Sequence, residues 1–255
     1  MLFRSPAERG VPPVTVTQSG ENWTIAGSHT TVTLNGADLS LSVRRGGTEW
    51  RMLPSSDGDL LAGIDTTRVK LRLADARKRE VSKYFSGYST GVKVALSGYA
   101  SGGKSLDLAM QLFVTLETPE DELVCRIVPS EKTAAVKECR WPGGFAPGST
   151  DFTVVPFMQG MLLPVNWPRK VWLYDTMSWG RGLYMPWWGH MKGKSAALVI
   201  LETPDDAGCV FEHPAGGPTA IAPKWVHSLG KLGYPRSARI CFFDTGNYVD
   251  MAKRY

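Results

Sequence analysis

Between Val14 and Leu96 the chain alternates apolar with polar or small residues at period two. The runs are Val14-x-Val16, Trp23-x-Ile25, Val32-x-Leu34, Leu39-x-Leu41-x-Val43, Val69-x-Leu71-x-Leu73 and Val92-x-Val94-x-Leu96. Successive side chains of a strand point to opposite faces, so this pattern makes antiparallel strands with one dry and one wet face. Turn residues separate the runs at Ser19-Gly20-Glu21-Asn22, Asn35-Gly36, Arg45-Gly46-Gly47 and Gly102-Gly103. Asn35-Gly36 is the clearest, and it predicts a type I′ hairpin turn, whose two central residues need positive φ. No helical pattern of about ten residues competes before residue 240. The expected fold class is all-β, a large antiparallel β-sandwich, and 255 residues suit one such domain.

Charge and apolar runs narrow the function classes. The longest apolar runs, such as Ala196 to Leu201, fall far short of the roughly 18 residues of a membrane-spanning helix. No membrane partner is expected. The first ten residues, Met-Leu-Phe-Arg-Ser-Pro-Ala-Glu-Arg-Gly, contain no apolar signal-peptide core. The net charge of +5 is concentrated in residues 68–83, and the rest of the chain sums to zero. A nucleic-acid binder carries a broad basic footprint. Arg68-x-Lys70-x-Arg72, with Val69, Leu71 and Leu73 between, reads first as the wet side of a strand and second as a polyanion site. Cys125, Cys139, Cys209 and Cys241 form no C-x-x-C pair and have no histidine at ligand spacing. A zinc site is therefore unsupported, and the thiols are expected to act as small buried hydrophobes. No cofactor or metal is expected.

The middle and the end of the chain differ from the first half. Residues 141–190 hold six of the nine tryptophans and six prolines, which makes loops and short edge strands the expectation there. After Phe243, Asp244 to Asn247 supply capping candidates, and Tyr248, Met251, Ala252 and Tyr255 fall at i, i+3, i+4 and i+7. That spacing predicts a short amphipathic C-terminal helix. It is about two turns long, shorter than is usual in a globular protein, and a native chain continuing past Tyr255 is the expectation.

One segment matches a catalytic motif only formally. Gly98-Tyr-Ala-Ser-Gly-Gly-Lys104-Ser105 satisfies G-x-x-x-x-G-K-[ST], yet a phosphate-binding loop needs a following helix whose free N–H groups cradle the phosphates. Leu106, Leu108, Met110, Leu112, Val114 and Leu116 alternate instead, which predicts a hairpin turn leading into a strand. Glycoside hydrolysis needs two carboxylates flanking the scissile bond. Among Asp151, Asp175, Glu202, Asp205, Asp206 and Glu212 no spacing singles out a pair. The four histidines are isolated, although His190 follows Trp187-Trp188-Gly189 in the aromatic stretch. Trp167, Trp179, Trp187 and Trp188 can offer flat faces to sugar rings, with Gln159, Arg181 and His190 near in sequence for hydroxyls. The competing reading is that these tryptophans fill the core. Trp187 and Trp188 are adjacent, so on a strand one of them leaves it.

Several segments of the second half resemble the N-terminal domain of certain bacterial glycoside hydrolases, the endo-α-N-acetylgalactosaminidase-like enzymes and related families. They are Glu138-Cys-Arg-Trp141-Pro-Gly-Gly-Phe145, Val155-Pro-Phe-Met-Gln159-Gly-Met-Leu-Leu-Pro164, Tyr184-Met-Pro-Trp187-Trp-Gly-His-Met191 and Ala197-Leu-Val-Ile-Leu-Glu202-Thr-Pro-Asp205-Asp206. Asp244-Thr-Gly-Asn-Tyr248-Val-Asp-Met-Ala-Lys-Arg-Tyr255 is similar to the linker helix that leads into their catalytic (β/α)₈ barrel. The resemblance implies a galactose mutarotase-like supersandwich over residues 1–243, a linker helix beginning over 244–255, and catalytic carboxylates that belong to the barrel. It implies carbohydrate and that barrel as partners, no catalytic residue in this chain, and a secreted or periplasmic setting. The mutarotase's Asn-His motif is missing here, which disfavours a free-standing epimerase. The expected role is a non-catalytic sandwich domain with a glycan contact at Trp187, Trp188, His190, Trp179, Arg181, Gln159 and Trp167. An independent carbohydrate-binding module, or an epimerase or lyase with its own site, stays open beside it.

Overall fold

The computed structural model describes residues 13–64, 67–132, 134–174 and 182–255. The strands of the first half are β1 (Thr15–Ser19), β2 (Asn22–Ala26), β3 (Thr30–Asn35), β4 (Leu41–Arg45), β5 (Thr48–Met52), β6 (Leu60–Ile64), β7 (Thr67–Leu71), β8 (Lys78–Phe85), β9 (Ser89–Ser97), β10 (Ala100–Ser101), β11 (Lys104–Ser105) and β12 (Leu108–Glu117). They are followed by β13 (Glu122–Glu131), β14 (Ala135–Cys139), β15 (Phe152–Val155), β16 (Met161–Pro164), β17 (Trp187–Lys192), β18 (Ser195–Leu201), β19 (Ala207–Glu212), β20 (Ala220–Val226) and β21 (Arg236–Phe243). A single helical segment of α type among the described residues, α1 (Tyr248–Arg254), closes the chain.

Strands β1 to β5 form a five-stranded meander, and β19-β20-β14-β6-β7 form a second five-stranded sheet. Both pack on one nine-stranded sheet of order β16-β15-β17-β18-β21-β13-β12-β9-β8, and every pairing is antiparallel. The alternation read from the sequence sets which residues face inward. Ile25, Val32, Leu34, Val43 and Trp50 from the meander, Leu60 and Trp225 from the second sheet, and Met110, Leu112 and Trp188 from the large sheet share one buried core. Trp50 lies 5.4 Å from Phe145 and 6.0 Å from Phe242, ring centre to ring centre, and so joins the meander to the large sheet. The fold is the expected large antiparallel β-sandwich with a short C-terminal helix. All four cysteines are buried and unbridged. Burial alone pushes the Cys125 thiol above its ordinary pKa, and burial is the leading cause at Cys139 as well.

The turn chemistry holds at two of the glycine pairs and fails at Asn35-Gly36. Gly46 and Gly47 at φ +55° and +80° close the β4–β5 hairpin, and Gly102 and Gly103 at +55° and +78° close β10–β11. The Gly98–Ser105 string is thus a hairpin feeding strand β12. At Asn35-Gly36 the expected two-residue turn is replaced by a longer loop from β3 to β4. The Asn35 side chain accepts from Ala37 N (2.8 Å), Asp38 accepts from Ser40 N (2.9 Å), and Leu39 takes the left-handed conformation at φ 63°. Burial of the Leu39 side chain is what a tight turn cannot offer, and it outweighs the roughly 1–2 kcal/mol cost of that backbone.

Helix α1 lies against the outer face of the large sheet, opposite the core. There Val154, Trp187, Ala196, Leu198, Cys241 and Met251 form a second, smaller cluster. Asn247 caps the helix by accepting from Val249 N (2.7 Å), and Asp250 accepts in return from Asn247 N (2.9 Å). Met251 fills the space over Gly189, where an added Cβ would come within 2.0 Å of its sulfur. Arg254 makes two 2.7 Å hydrogen bonds to Glu122. Arg239 on β21 donates to Glu117 (2.6 Å), Glu122 (3.0 Å) and Glu202 (2.6 Å). At Glu122 burial works to raise the carboxyl pKa. Hydrogen bonds from Cys241 and Arg254, with the charges of Arg254 and Arg239, overcome it and hold the group below its usual value.

Candidate functional site

The described residues among those singled out from the sequence do not converge. Trp188 and His190 share the inward face of β17 and are buried in the core. The His190 ring packs edge-on to Phe145 at 5.0 Å, and burial pushes its pKa down to about 3, so it is neutral and turned away from solvent. Trp187 leaves the core as strand alternation requires. It is covered nonetheless, 5.9 Å from the Tyr255 ring beneath α1. None of the three offers an open face to a sugar, which corrects the expectation for them. Gln159 is exposed on the turn between β15 and β16, and Trp167 is partly exposed, its carbonyl held by His213 Nε2 (3.2 Å) and Gly216 N (2.8 Å). Trp179 and Arg181 lie outside the described residues.

An open cleft lies elsewhere, on the outer side of the β19-β20-β14-β6-β7 sheet. One hollow of about 480 Å³ has Val210, Ala220 and Ala222 in its lining, with Leu53, Pro54 and Asp59 on another side. Its close backbone approach depends on Gly143-Gly144. A Cβ at Gly143 would meet Leu53 O at 2.5 Å, and one at Gly144 would meet Ile221 O at 2.2 Å. A second hollow of about 370 Å³ adjoins it and shares Arg140, Val210 and Glu212. Its wall is the segment Trp172-Leu173-Tyr174, anchored where Val171 bridges His213. Leu173 is buried while Trp172 is 61% exposed, and the Trp172 and Tyr174 ring centres lie 4.3 Å apart with the planes tilted by 60°.

The polar groups of the cleft are set by the outward positions of β14, β19 and β20. Glu138 accepts from Arg140 (3.4 Å) and pairs with the Lys224 ammonium (3.3 Å). Arg140 Nε is buried and has no hydrogen-bond partner among the described residues. Glu212 is exposed at the aromatic end. Asp59, the second carboxylate of the larger hollow, is occupied. It accepts from Ser55 Oγ, from Ser56 N (3.0 Å) and from Leu73 N (3.0 Å). Burial raises its pKa against those hydrogen bonds. Its oxygens anchor the loop over residues 55–59, leaving Asp59 unsuited to deliver a proton to a glycosidic oxygen.

Of the described carboxylates weighed from the sequence, only Glu212 borders this cleft, and Asp175 lies outside the described residues. Asp151 accepts from Gly193 N, Glu202 is taken by Ser237 and Arg239, and Asp206 by Tyr234. Trp172 and Arg140 were passed over. The Trp-Leu-Tyr alternation that exposes Trp172 is the pattern of any half-buried strand, and Arg140 shows its place only once β14 pairs with β20 and β6.

No protein-family model and no curated protein matches the chain. Solved structures do. Alpha-N-acetylgalactosaminidase NagBb from Bifidobacterium bifidum, in complex with GalNAc, superimposes with a TM-score of 0.79 over 91% of this chain at 23% identity. The fold matches that of a β-sandwich domain within this glycoside hydrolase. The ligand-free form of NagBb gives a TM-score of 0.76 at 25% identity, again over 91% of this chain. The Gal-NHAc-DNJ complex gives 0.77 at 24%. The chain spans 38% of the length of the first of these enzymes and 37% of the ligand-free one.

Proposed function

We propose that this sandwich is the non-catalytic N-terminal domain of a carbohydrate-active glycoside hydrolase, and that it contacts glycan through the cleft at Trp172. The observation that carries the reading is the exposed Trp172, set against the half-buried Tyr174 and beside Arg140 and Glu212, on a fold shared with an α-N-acetylgalactosaminidase. A flat aromatic face takes the C–H side of a sugar ring, while a guanidinium and a carboxylate take its hydroxyls as acceptors and donors. The occupied state of Asp59 supports binding over hydrolysis. The partner across the other face is the catalytic barrel. Tyr248, Val249 and Tyr255 are 51%, 43% and 48% exposed, and this apolar stripe on α1 is what a docked barrel would cover.

The test is titration of the purified chain with N-acetylgalactosamine and galactose by NMR, alongside an assay with an aryl α-N-acetylgalactosaminide. Binding that shifts resonances around Trp172 and disappears in Trp172→Ala is expected, with no turnover. Sugar binding that survives Trp172→Ala, or hydrolysis by this chain unaided, overturns the reading.

A further inference from the structure

The outer side of the β19-β20-β14-β6-β7 sheet does not end at the cleft. Across the strands Lys70 pairs with Leu61, Leu61 with Glu138, and Glu138 with Val226, all on the outward face. Arg68 lies two residues before Lys70 on the same side of β7, and both are exposed. With strands about 4.8 Å apart and a rise of about 3.4 Å per residue, Lys70 is on the order of 12 Å from Arg140 by backbone position. A ligand leaving the cleft past Arg140 therefore reaches this edge.

Charge is distributed unevenly along that path. At the aromatic end Glu212 and Arg140, of opposite charge, line the hollow with Trp172. In the middle Glu138 is shared by Arg140 and Lys224. Toward the edge Asp57 is paired to Arg72 and also feels the charge of Lys70, while the exposed Arg68 and Lys70 face the uncharged Gly63 and Leu61 across β6, so among the described residues the edge is net positive. Lysine and arginine on an edge strand also discourage sheet-to-sheet association, but that role does not require them to share a face with a cleft.

We infer that the cleft accepts an acidic oligosaccharide, with a neutral ring on Trp172 and a carboxylate or sulfate substituent at Arg68 and Lys70. The inference rests on the glycan-contact reading above and adds the ligand's charge and its direction across the sheet. The contacts at β7 are solvent-exposed, so affinity falls as salt is raised.

The probes are a chondroitin sulfate tetrasaccharide, its desulfated counterpart, free N-acetylgalactosamine and a single-stranded oligonucleotide, each titrated against the whole chain. Arg68→Glu combined with Lys70→Glu is expected to weaken the sulfated tetrasaccharide about tenfold, the scale of one charge-assisted contact, and to leave N-acetylgalactosamine unchanged. Desulfation that abolishes the effect of the charge reversal assigns the edge to sulfate; an effect that persists assigns it to carboxylate. If the charge reversal leaves the tetrasaccharide's affinity unchanged while Trp172→Ala abolishes it, the acidic-ligand inference falls and the glycan reading survives. If Trp172→Ala also leaves binding intact, both fall. An oligonucleotide that binds as tightly as the sulfated glycan overturns the inference in favour of a general polyanion patch. Both edge residues are exposed, so an unchanged melting temperature verifies that the double variant is folded.

Discussion

Outside the nine-stranded sheet, Trp187, Val154 and Leu198 are roofed by α1, and Arg239 and Arg254 are locked among glutamates. Outside the β19-β20-β14-β6-β7 sheet, Trp172 stands largely in solvent, and Arg140 keeps a buried Nε without a partner among the described residues. Both faces combine aromatic rings with arginines and carboxylates. They differ in whether the molecule itself satisfies them. On the first face the ion pairs and ring contacts are closed internally and stabilise the fold. On the second, Glu138 is paired with Arg140 and Lys224, while the outer ring face of Trp172 and the Arg140 Nε, beside backbone held by Gly143-Gly144 and Asp59, are left open among the described residues. A residue's type therefore says less about binding than whether a distant segment covers it.

Four measurements break or sharpen that contrast. Replacing Arg239 by Ala takes the guanidinium from Glu117, Glu122 and Glu202, of which Glu122 keeps Arg254 and Glu202 keeps Ser237, and urea unfolding should register a loss of about 3 kcal/mol, the low end for breaking a buried ion pair, because the side chain keeps 19% of its surface in water. A loss below about 1 kcal/mol, the value of an exposed pair, would mean the closed face is held by packing alone. Gly189→Ala should cost about 2 kcal/mol by overpacking against Met251. Combining it with Met251→Ala should give less than the sum of the two, and strict additivity would place α1 somewhere other than over Gly189.

Acid should act through His190. Its folded pKa of about 3 lies below the ordinary 6.5, so the neutral form contributes stability that is present above pH 6.5 and lost as pH falls toward 3. That loss runs at about 1.4 kcal/mol per pH unit across the window. Stability measured against pH in His190→Leu should lack this component, and an unchanged slope would refute it. The smallest effect belongs to the open face, where Trp172→Ala should leave the melting midpoint almost unaltered, within about 0.5 kcal/mol. A larger loss would mean that Trp172 supports the fold.

Much of the architecture was legible because period two determines facing locally. Met110, Leu112 and Val114 needed no knowledge of their partners to be assigned inward, and Gly46-Gly47 announced their own turn. Asn35-Gly36 was misread because burial of Leu39, a tertiary event, decided the loop. Burial of Trp187, Trp188 and His190 is a tertiary event of the same kind on a larger scale. Trp187 and Trp172 look alike in sequence, and only Tyr255 and Met251, more than sixty residues further along the chain from Trp187, separate them. Glu212 is one carboxylate among six in the sequence, with no local mark of the cleft it borders.

The four sequestered cysteines have a practical corollary. With no sulfur bridge holding it and every native thiol shielded, the sandwich keeps its shape whether its surroundings are reducing or oxidising. A single cysteine engineered at the rim, in place of Ala220 for instance, would be its sole readily alkylated position, so a fluorophore attached there would report occupancy against a silent background.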